Sequence, residues 1–434
     1  MTNSANIDRR NFLKQTAGST LAACLATGTA PAYGVVGAND RINLGFIGTG
    51  GRNLFHIGEY RKMPDVGILA LCDVDRSQRE KAASQLEQKP TLFEDFRQVL
   101  DQKDIDAVVI ATPDHWHVIT AIAACQAGKD VYVEKPVGHN IKEGRALTQE
   151  AKKYNRIVQI GTQQRSGPHW IEAVDTVRSG KLGKIAAVRC WNAWGINEMG
   201  GKGLQGIGKP ENCAPPDGVN YDFWLGPAPL RPFNPSRFHF YFYFFWDYSG
   251  GMVSAWGVHL HDIVLWAMGY DIKAVTCTGG QFAFDDCRDT PDTADIIFEC
   301  PEYSFTYSVR HSNGRPVTGN MDHGIEFSGT DASLFINRDE YRIYPENDRE
   351  NPKIVQSQPM ELPHKQNFLN CIRTRQRPNA DPETGHLAAI PGHLANISYR
   401  VGRRIAWDAD KETIPGDEEA CELLGRTYRQ PWHL

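Results

Sequence analysis

Two charged constellations in this sequence have residue types and spacings that could do chemistry. The first is Glu134-Lys135-Pro136, an acid and an amine at the end of the apolar run Val131-Tyr132-Val133. Proline fixes its own φ and pushes the preceding residue towards an extended backbone, so Lys135 is held at a strand end and cannot melt into a helix. Alone, such a tripeptide more often marks a surface turn with a solvated lysine, because structural ion pairs outnumber catalytic ones. The second is Trp256-Gly257-Val258-His259-Leu260-His261-Asp262, where an imidazole stands near a helix start behind Gly250-Gly251-Met252, which reads as a flexible break. If Val258 to Met268 is helical, Leu260, Ile263, Val264, Ala267 and Met268 form its apolar face, while His259, Asp262 and Trp266 share another. His259 could be an acid or base, and a hydrogen-bonded structural histidine fits the same placement.

The elements that would position Lys135 can be read on either side of it. Arg41 to Ile47 has a buried-strand pattern and runs into Gly48-Thr49-Gly50-Gly51-Arg52-Asn53, then a helix. Strand, glycine turn and helix are the context of a dinucleotide site: Gly48 allows the tight turn, and Gly50 lets the backbone approach a pyrophosphate at a helix N-terminus. Asn53 stands in the place of the third glycine. A second strand, Val66 to Cys72, ends in Asp73, where an acid can accept the adenosine ribose hydroxyls and repel a 2′-phosphate, favouring NAD over NADP; Arg76 tempers that preference.

Asp104 to Ile110 reads as the next parallel strand. It is followed by Thr112-Pro113-Asp114-His115-Trp116-His117 and a helix from Val118 to Ala127. His115 and His117 lie in a loop at the ligand crevice, where loop histidines can act or simply cap the next helix. Val131 to Val133, a helix from Lys142 to Tyr154 and a strand from Ile157 to Gly161 complete a doubly wound sheet. Lys135, Gln163 and Arg165 then fall at the same carboxyl edge.

From Trp170 the alternation changes. Ile185 to Trp194, Ala274 to Gln281, Asp295 to Glu299, Ser304 to Arg310, Gly324 to Thr330 and Ser333 to Asn337 are β-branched and aromatic runs. They predict one large, mostly antiparallel sheet with one face on helices and the other available to a second subunit. Asn367 to Arg373 and His386 to Ala406 read as closing helices, and the aromatic run Phe238 to Trp246 as core or interface packing rather than sugar stacking. The fold class expected is α/β: a Rossmann domain over residues 41–165 and a second α/β domain over 166–434.

The chain has 434 residues, 41% hydrophobic and 23% charged, with a formal net charge of −5 and no long basic block, so nothing points to a nucleic-acid partner. Arg9-Arg10 precede a short apolar run rich in Ala, Gly, Ser and Thr, a twin-arginine export pattern too short to span a membrane. Cleavage after Ala30-Pro31-Ala32 would remove residues 1–32 and leave 33–40 as a linker, which implies a periplasmic address. The rival is a lipoprotein box ending at Cys24, and an uncleaved tail is the bland alternative. The ten cysteines include no C-x-x-C pair and no zinc spacing, so neither a disulfide framework nor a metal is expected.

The glycine turn at Gly48, Cys72-Asp73-Val74-Asp75, Thr112-Pro113-Asp114-His115, Glu134-Lys135-Pro136, Gly161-Thr162-Gln163-Gln164-Arg165 and Gly257-Val258-His259-Leu260-His261-Asp262 together resemble the glucose-fructose oxidoreductase and inositol dehydrogenase (Gfo/Idh/MocA) family. The likeness extends from about Arg41 to the C-terminus and is similar to exported members at Asn367-Phe368-Leu369 and Gly402-Arg403-Arg404. It implies a nicotinamide cofactor held by Gly48, Gly50, Gly51, Arg52, Asn53, Asp73, Thr112, Pro113, His115, Glu134, Lys135 and Gln163. It also implies a sugar or polyol held by Lys135, Arg165, His259 and Asp262, with a homo-oligomer, dimer or tetramer, built on the second sheet.

Within that resemblance His259 is the expected base and Lys135 the donor to the reacting oxygen. Many members carry an aspartate four residues before the histidine; here it is Ala255, which should lower the basicity of His259. Three activities are then in play: NAD-dependent oxidation and reduction of a sugar hydroxyl with a tightly held, recycled cofactor; glycoside cleavage by transient oxidation and elimination; and sugar or nucleotide binding without turnover.

Overall fold

The computed structural model describes residues 41–195, 206–314, 321–348 and 350–434. The export pattern, its cleavage site and Cys24 fall in residues 1–40, outside the described residues. No described helix is long and apolar enough to cross a membrane.

The first sheet contains β1 (Ile42–Ile47), β2 (Val66–Cys72), β3 (Thr91–Phe93), β4 (Ala107–Ile110), β5 (Asp130–Val133) and β6 (Val158–Ile160). All pairs are parallel, in the order β3-β2-β1-β4-β5-β6. That order reverses direction between β1 and β4, which opens a crevice at their carboxyl ends. β1, β4 and β5 are apolar along almost their whole length because helices cover both faces of the sheet. The predicted strand over 104–110 begins three residues late, since Asp104 and Asp106 instead hold Asn43 at the open end.

The second sheet adds β7 (Ile185–Ala193), β8 (Ala274–Gly280), β9 (Thr293–Glu299), β10 (Ser304–Arg310), β11 (His323–Gly329), β12 (Ala332–Ile336), β13 (Glu340–Pro345), β14 (Lys353–Gln356) and β15 (Ile405–Ala406). Their order is β14-β13-β12-β11-β7-β10-β9-β8-β15, antiparallel except where β7 meets β10. The expected class, a Rossmann domain joined to an α/β domain with a mostly antiparallel sheet, is the one observed. Alternation sets the faces: Ala294, Ile296, Phe298, Phe305, Tyr307 and Val309 point inward, while Asp295, Ile297 and Glu299 are exposed. The inner face packs on the helices Gly257–Met268 and Pro382–Val401 through Leu260, Ile263, Val264 and Leu394.

Two local expectations are corrected. Gly250-Gly251-Met252 is not a flexible break but the start of a buried helix, Gly251–Ala255, with Gly251 at φ +64 against Thr290, where a β-carbon would come within 2.8 Å. The closing helices begin earlier than the sequence indicated, at Glu361 and Pro382. The first of them, Glu361–Thr374, returns to the first sheet, where Phe368 and Leu369 share a core with Phe46, Tyr60 and Tyr132. The second starts with Asp381 accepting from the Thr384 N–H at 2.8 Å and stops at Gly402 in the left-handed region.

Candidate functional site

The carboxyl ends of β1, β2, β4, β5 and β6 open into a cavity of about 580 Å³, closed from the other side by residues of the second sheet and its helices. Gly48, Gly50, Gly51, Arg52, Asp73, Thr112, Pro113, Glu134, Lys135, Gln163 and His259 all line it. Residues up to 211 positions apart in sequence are thereby brought to one wall.

The glycine turn is shaped to receive a ligand. Gly48 has φ +76 and donates to the Cys72 carbonyl at 2.8 Å; a β-carbon there would sit 2.9 Å from the Ala111 oxygen. Gly50 caps the helix Gly51–Tyr60 without any side-chain acceptor, and its first turn carries no acid. A β-carbon at Gly50 or Gly51 would meet nothing within 4 Å, so the first-turn N–H groups border open space, as an anion requires. The Asp73 carboxylate accepts from the Thr49 N–H at 2.7 Å, the Thr49 hydroxyl at 3.2 Å and the Asp75 N–H at 3.0 Å, which leaves acceptor capacity for a ribose hydroxyl. These residues fit a nicotinamide dinucleotide: glycine turn for the diphosphate, Asp73 for the ribose.

Charge is arranged tightly around Glu134. Its carboxylate accepts from Arg52 Nε at 2.8 Å and lies 2.9 Å from His56 Nε2. Burial works to raise its pKa, but Arg52, His56 and Lys135 outweigh that and hold it well below the usual carboxylate range. Arg52 also forks onto Glu361 at 3.1 and 3.2 Å, and Gln163 reaches the same carboxylate at 3.1 Å. The end of β6 passes so close that a β-carbon at Gly161 would lie 2.8 Å from the Glu134 carboxylate.

Lys135 follows at the end of β5, with a cis peptide bond to Pro136. Its Nζ donates to the carbonyl oxygen of Ala255 at 3.2 Å and stands 6.0 Å from the centre of the Tyr243 ring. Burial lowers its pKa from that of a free lysine, against the pull of Glu134 and Asp114. His259, in the first turn of the helix Gly257–Met268, packs edge-on to Trp256 with centroids 5.2 Å apart. Its Nδ1 has no hydrogen-bond partner among the described residues. Burial first, then the charges of Arg338 and Lys135, push its pKa well below 6.5, so the imidazole is neutral.

Four expected site residues lie elsewhere. Asn53 is buried, and its amide donates to the carbonyls of Ile47, Gly48 and Val109 at 3.1, 2.7 and 3.2 Å; it ties the turn to the sheet and does not face the cavity. His115 points away, with Nε2 3.1 Å from the Trp224 carbonyl, in a setting where burial drives its pKa down to about 3. Its neighbour His117 is the one at the cavity, spanning the carbonyls of Thr112 at 2.9 Å and Pro136 at 2.8 Å.

Arg165 and Asp262 satisfy each other. Arg165 Nε lies 2.8 and 2.9 Å from the two carboxylate oxygens, and Nη2 2.7 Å from one of them, with the guanidinium over the Trp266 ring. Both are buried and neither lines the cavity. A carboxylate already occupied by a buried guanidinium is not available to substrate hydroxyls.

The cavity also has walls that the sequence did not assign to it, among them part of the aromatic run expected only to pack in the core or an interface. The aromatic run curls into a single-turn helix, Phe240–Phe244, of which Phe240, Phe242 and Tyr243 face the cavity while Phe244 joins the core. His239 reaches across to Asp75, Nε2 to Oδ2 2.8 Å. Arg338, in the turn between β12 and β13, and Trp256 complete the side next to His259. A turn arginine and a helix-capping tryptophan carry no periodicity by which to find them.

Comparison with known proteins agrees with this architecture. The family described as "Oxidoreductase family, NAD-binding Rossmann fold" matches residues 42–162. The one described as "Oxidoreductase family, C-terminal alpha/beta domain" matches 176–279 and 322–434, and "GFO/IDH/MocA C-terminal domain" matches 231–335. Glycosyl hydrolase family 109 protein 2 of Shewanella sp. strain ANA-3 is 33% identical over 204 residues, 42% of this chain and 45% of that protein. The chain thus spans about half the length of the curated relatives it matches. Among solved structures, a levoglucosan dehydrogenase in complex with NADH and levoglucosan superposes with a TM-score of 0.66 at 17% identity, over 84% of this chain and 99% of that one. Scyllo-inositol dehydrogenase from Lactobacillus casei gives 0.61 at 19% identity, over 84% and 99%. These two likenesses are of fold. With an NAD-binding Rossmann domain followed by the matching C-terminal domain, the chain belongs to the Gfo/Idh/MocA family of oxidoreductases.

Proposed function

We propose that this protein oxidises and reduces a secondary hydroxyl of a sugar, glycoside or polyol with NAD held in the cavity. The observation that carries the reading is the convergence on one wall of the Gly50–Arg52 turn, Asp73, the Lys135 ammonium and an uncharged His259. NAD, when bound, supplies the hydride acceptor. Lys135 spends one of its three donors on the Ala255 carbonyl and keeps others for the substrate oxygen, opposing the growth of negative charge there. His259, held neutral by burial, can take the hydroxyl proton on its imidazole. Phe242, Tyr243 and Trp256 give the site an apolar wall.

Closure of the aromatic turn and the His239–Asp75 contact over the β2 end support a tightly held cofactor, recycled by a second substrate. The twin-arginine pattern supports export to the periplasm after folding, when such a cofactor is already in place. The exposed face of the second sheet, with Ile297 and Ile354, supports association of copies through that sheet.

A second reading, glycoside cleavage by transient oxidation and elimination, is favoured by the 33% identity to a glycosyl hydrolase family 109 protein. The experiment is to quantify NAD in the purified protein and screen sugars and glycosides by nicotinamide absorbance and aglycone release together. A change in absorbance supports the first reading, and aglycone release with no net change the second. A protein that neither copurifies with nor binds NAD would sink both.

A further inference from the structure

The wall beside His259 bears a cation that nothing among the described residues neutralises. Arg338 lies with Cζ 4.4 Å above the centre of the Trp256 ring, and its Nε is buried without a hydrogen-bond partner. No ion pair or hydrogen bond joins the guanidinium to any described residue. Arg52, by contrast, is paired with Glu134 and Glu361, and Lys135 has a hydrogen-bond partner in the Ala255 carbonyl.

Burial is the largest influence on Arg338 and lowers its pKa to about 10, with Glu361, Glu134 and Asp322 opposing at longer range, so it stays charged at neutral pH. A desolvated guanidinium without a partner is costly, and an anion that meets it gains more than it would at the surface. Trp256 occupies the flat face. What remains is the edge, a planar fork of N–H donors that matches a carboxylate bidentately.

We propose that the sugar taken by this site carries a carboxylate, which Arg338 recognises while Lys135 and His259 hold the reacting hydroxyl. The proposal rests on the reading of this cavity as the substrate site of an NAD-dependent oxidoreductase. Charge favours the carboxylate over a phosphate ester: Arg338 lacks an ion-pair partner among the described residues, Lys135 is committed to the reacting hydroxyl, and Asp73, Glu94, Asp114 and Glu134 already line the cavity against a second negative charge. The cofactor diphosphate has its own place at Gly50–Arg52, whereas Arg338 sits against Trp256 and is the foremost charge acting on His259.

The test uses the NAD-loaded protein and matched sets of hexose, hexuronate and hexose phosphate in the gluco, galacto and manno series. Binding is followed by calorimetry and turnover by nicotinamide absorbance. At least one hexuronate is expected to bind about 30-fold more tightly than its parent hexose, as a charge-assisted bidentate pair gives. In Arg338→Met that ratio should fall to near one, and Arg338→Lys should recover part of it, with the same NAD content in all three proteins.

Equal affinity for hexose and hexuronate in the wild type overturns the proposal. So does tighter binding of the phosphate esters, or loss of NAD from Arg338→Met, which would assign the guanidinium to the cofactor. Hexuronate binding that depends on Arg338 but never changes nicotinamide absorbance keeps this proposal and overturns the oxidoreductase reading. Turnover of neutral hexoses with no preference for the acids does the reverse.

Discussion

Lys135 Nζ donates to the carbonyl oxygen of Ala255 at 3.2 Å. The carbonyl is free because the chain breaks between the helices Gly251–Ala255 and Gly257–Met268: the His259 N–H bonds the Trp256 oxygen at 3.0 Å instead of continuing the ladder to Ala255. The alanine that stands where the family resemblance implies an aspartate therefore still anchors the lysine, through its backbone. What it does not supply is a charge to support the imidazole.

Replacing Lys135 by Met should remove the donor to the reacting oxygen and slow turnover about 100- to 1,000-fold, the scale of losing one such group. NAD content should be retained, because the glycine turn and Asp73 are untouched. Single-turnover kinetics on the loaded protein checks both, and a variant within a few-fold of wild type would remove Lys135 from the chemistry.

The pH profile follows from two displaced groups. His259 is kept well below 6.5 by burial and then by Arg338 and Lys135, so it stays an unprotonated base through mildly acidic pH. Lys135 is lowered from 10.5 chiefly by burial, so its proton is lost earlier than from a free lysine. Accordingly, kcat/KM for oxidation should show no acid limb at the ordinary imidazole value of about 6.5, and its alkaline decline should begin earlier than a free lysine would give. Ala255→Asp should raise the His259 pKa, bring an acid limb towards the ordinary imidazole value and raise the oxidation rate at pH 8. A limb near pH 6.5 in the wild type would contradict the neutral, desolvated imidazole.

Asp262→Asn leaves Arg165 buried without its counter-charge and should cost about 3–5 kcal/mol of stability, read as a lower Tm. The KM of the folded fraction should not move, since neither residue lines the cavity. A raised KM with an unaltered Tm would return this pair to the substrate site.

Asn53→Gly recreates the usual third glycine, yet it should weaken the protein by about 1–3 kcal/mol, because three buried carbonyls lose a shared donor. NAD affinity should not improve. Urea unfolding beside NAD titration measures the two effects separately.

His261 is fully buried among Phe298, Phe305 and Tyr307 with neither ring nitrogen bonded among the described residues, and burial lowers its pKa to about 3. The unfolded chain binds the proton more readily, so this group's cost is absent above about pH 6.5 and grows as pH falls towards 3. At pH 5 it amounts to about 2 kcal/mol. His261→Leu should therefore raise Tm relative to wild type at pH 5 and change the difference little between pH 7 and 8. An equal shift at all pH values would show that packing, not protonation, decides the outcome.

Much of the fold was legible because burial imposes period on sequence. Ser304 to Arg310 was bounded correctly as β10, and the strand, glycine turn and acid of β1 and β2 could be read directly. The short edge strand β14, Lys353–Gln356, was not, since its residues are largely exposed and keep no alternation. Nor was the helix Gly251–Ala255, whose glycines read as a break until packing on Thr290 and on the helix Pro382–Val401 held them.

By itself the sequence determined which residues stand at the ends of the parallel strands, because each apolar run must stop where the sheet meets its ligand crevice. Gly48, Asp73 and Lys135 were identifiable on that ground alone. Tertiary structure decided the rest. Arg165 and Asp262 lie 97 positions apart and neutralise each other; Arg338, in a turn of the second sheet, is left at the cavity without an ion-pair partner among the described residues. The pairing of charges depends on distance in space and on desolvation, and neither leaves a mark in the spacing of residues along the chain.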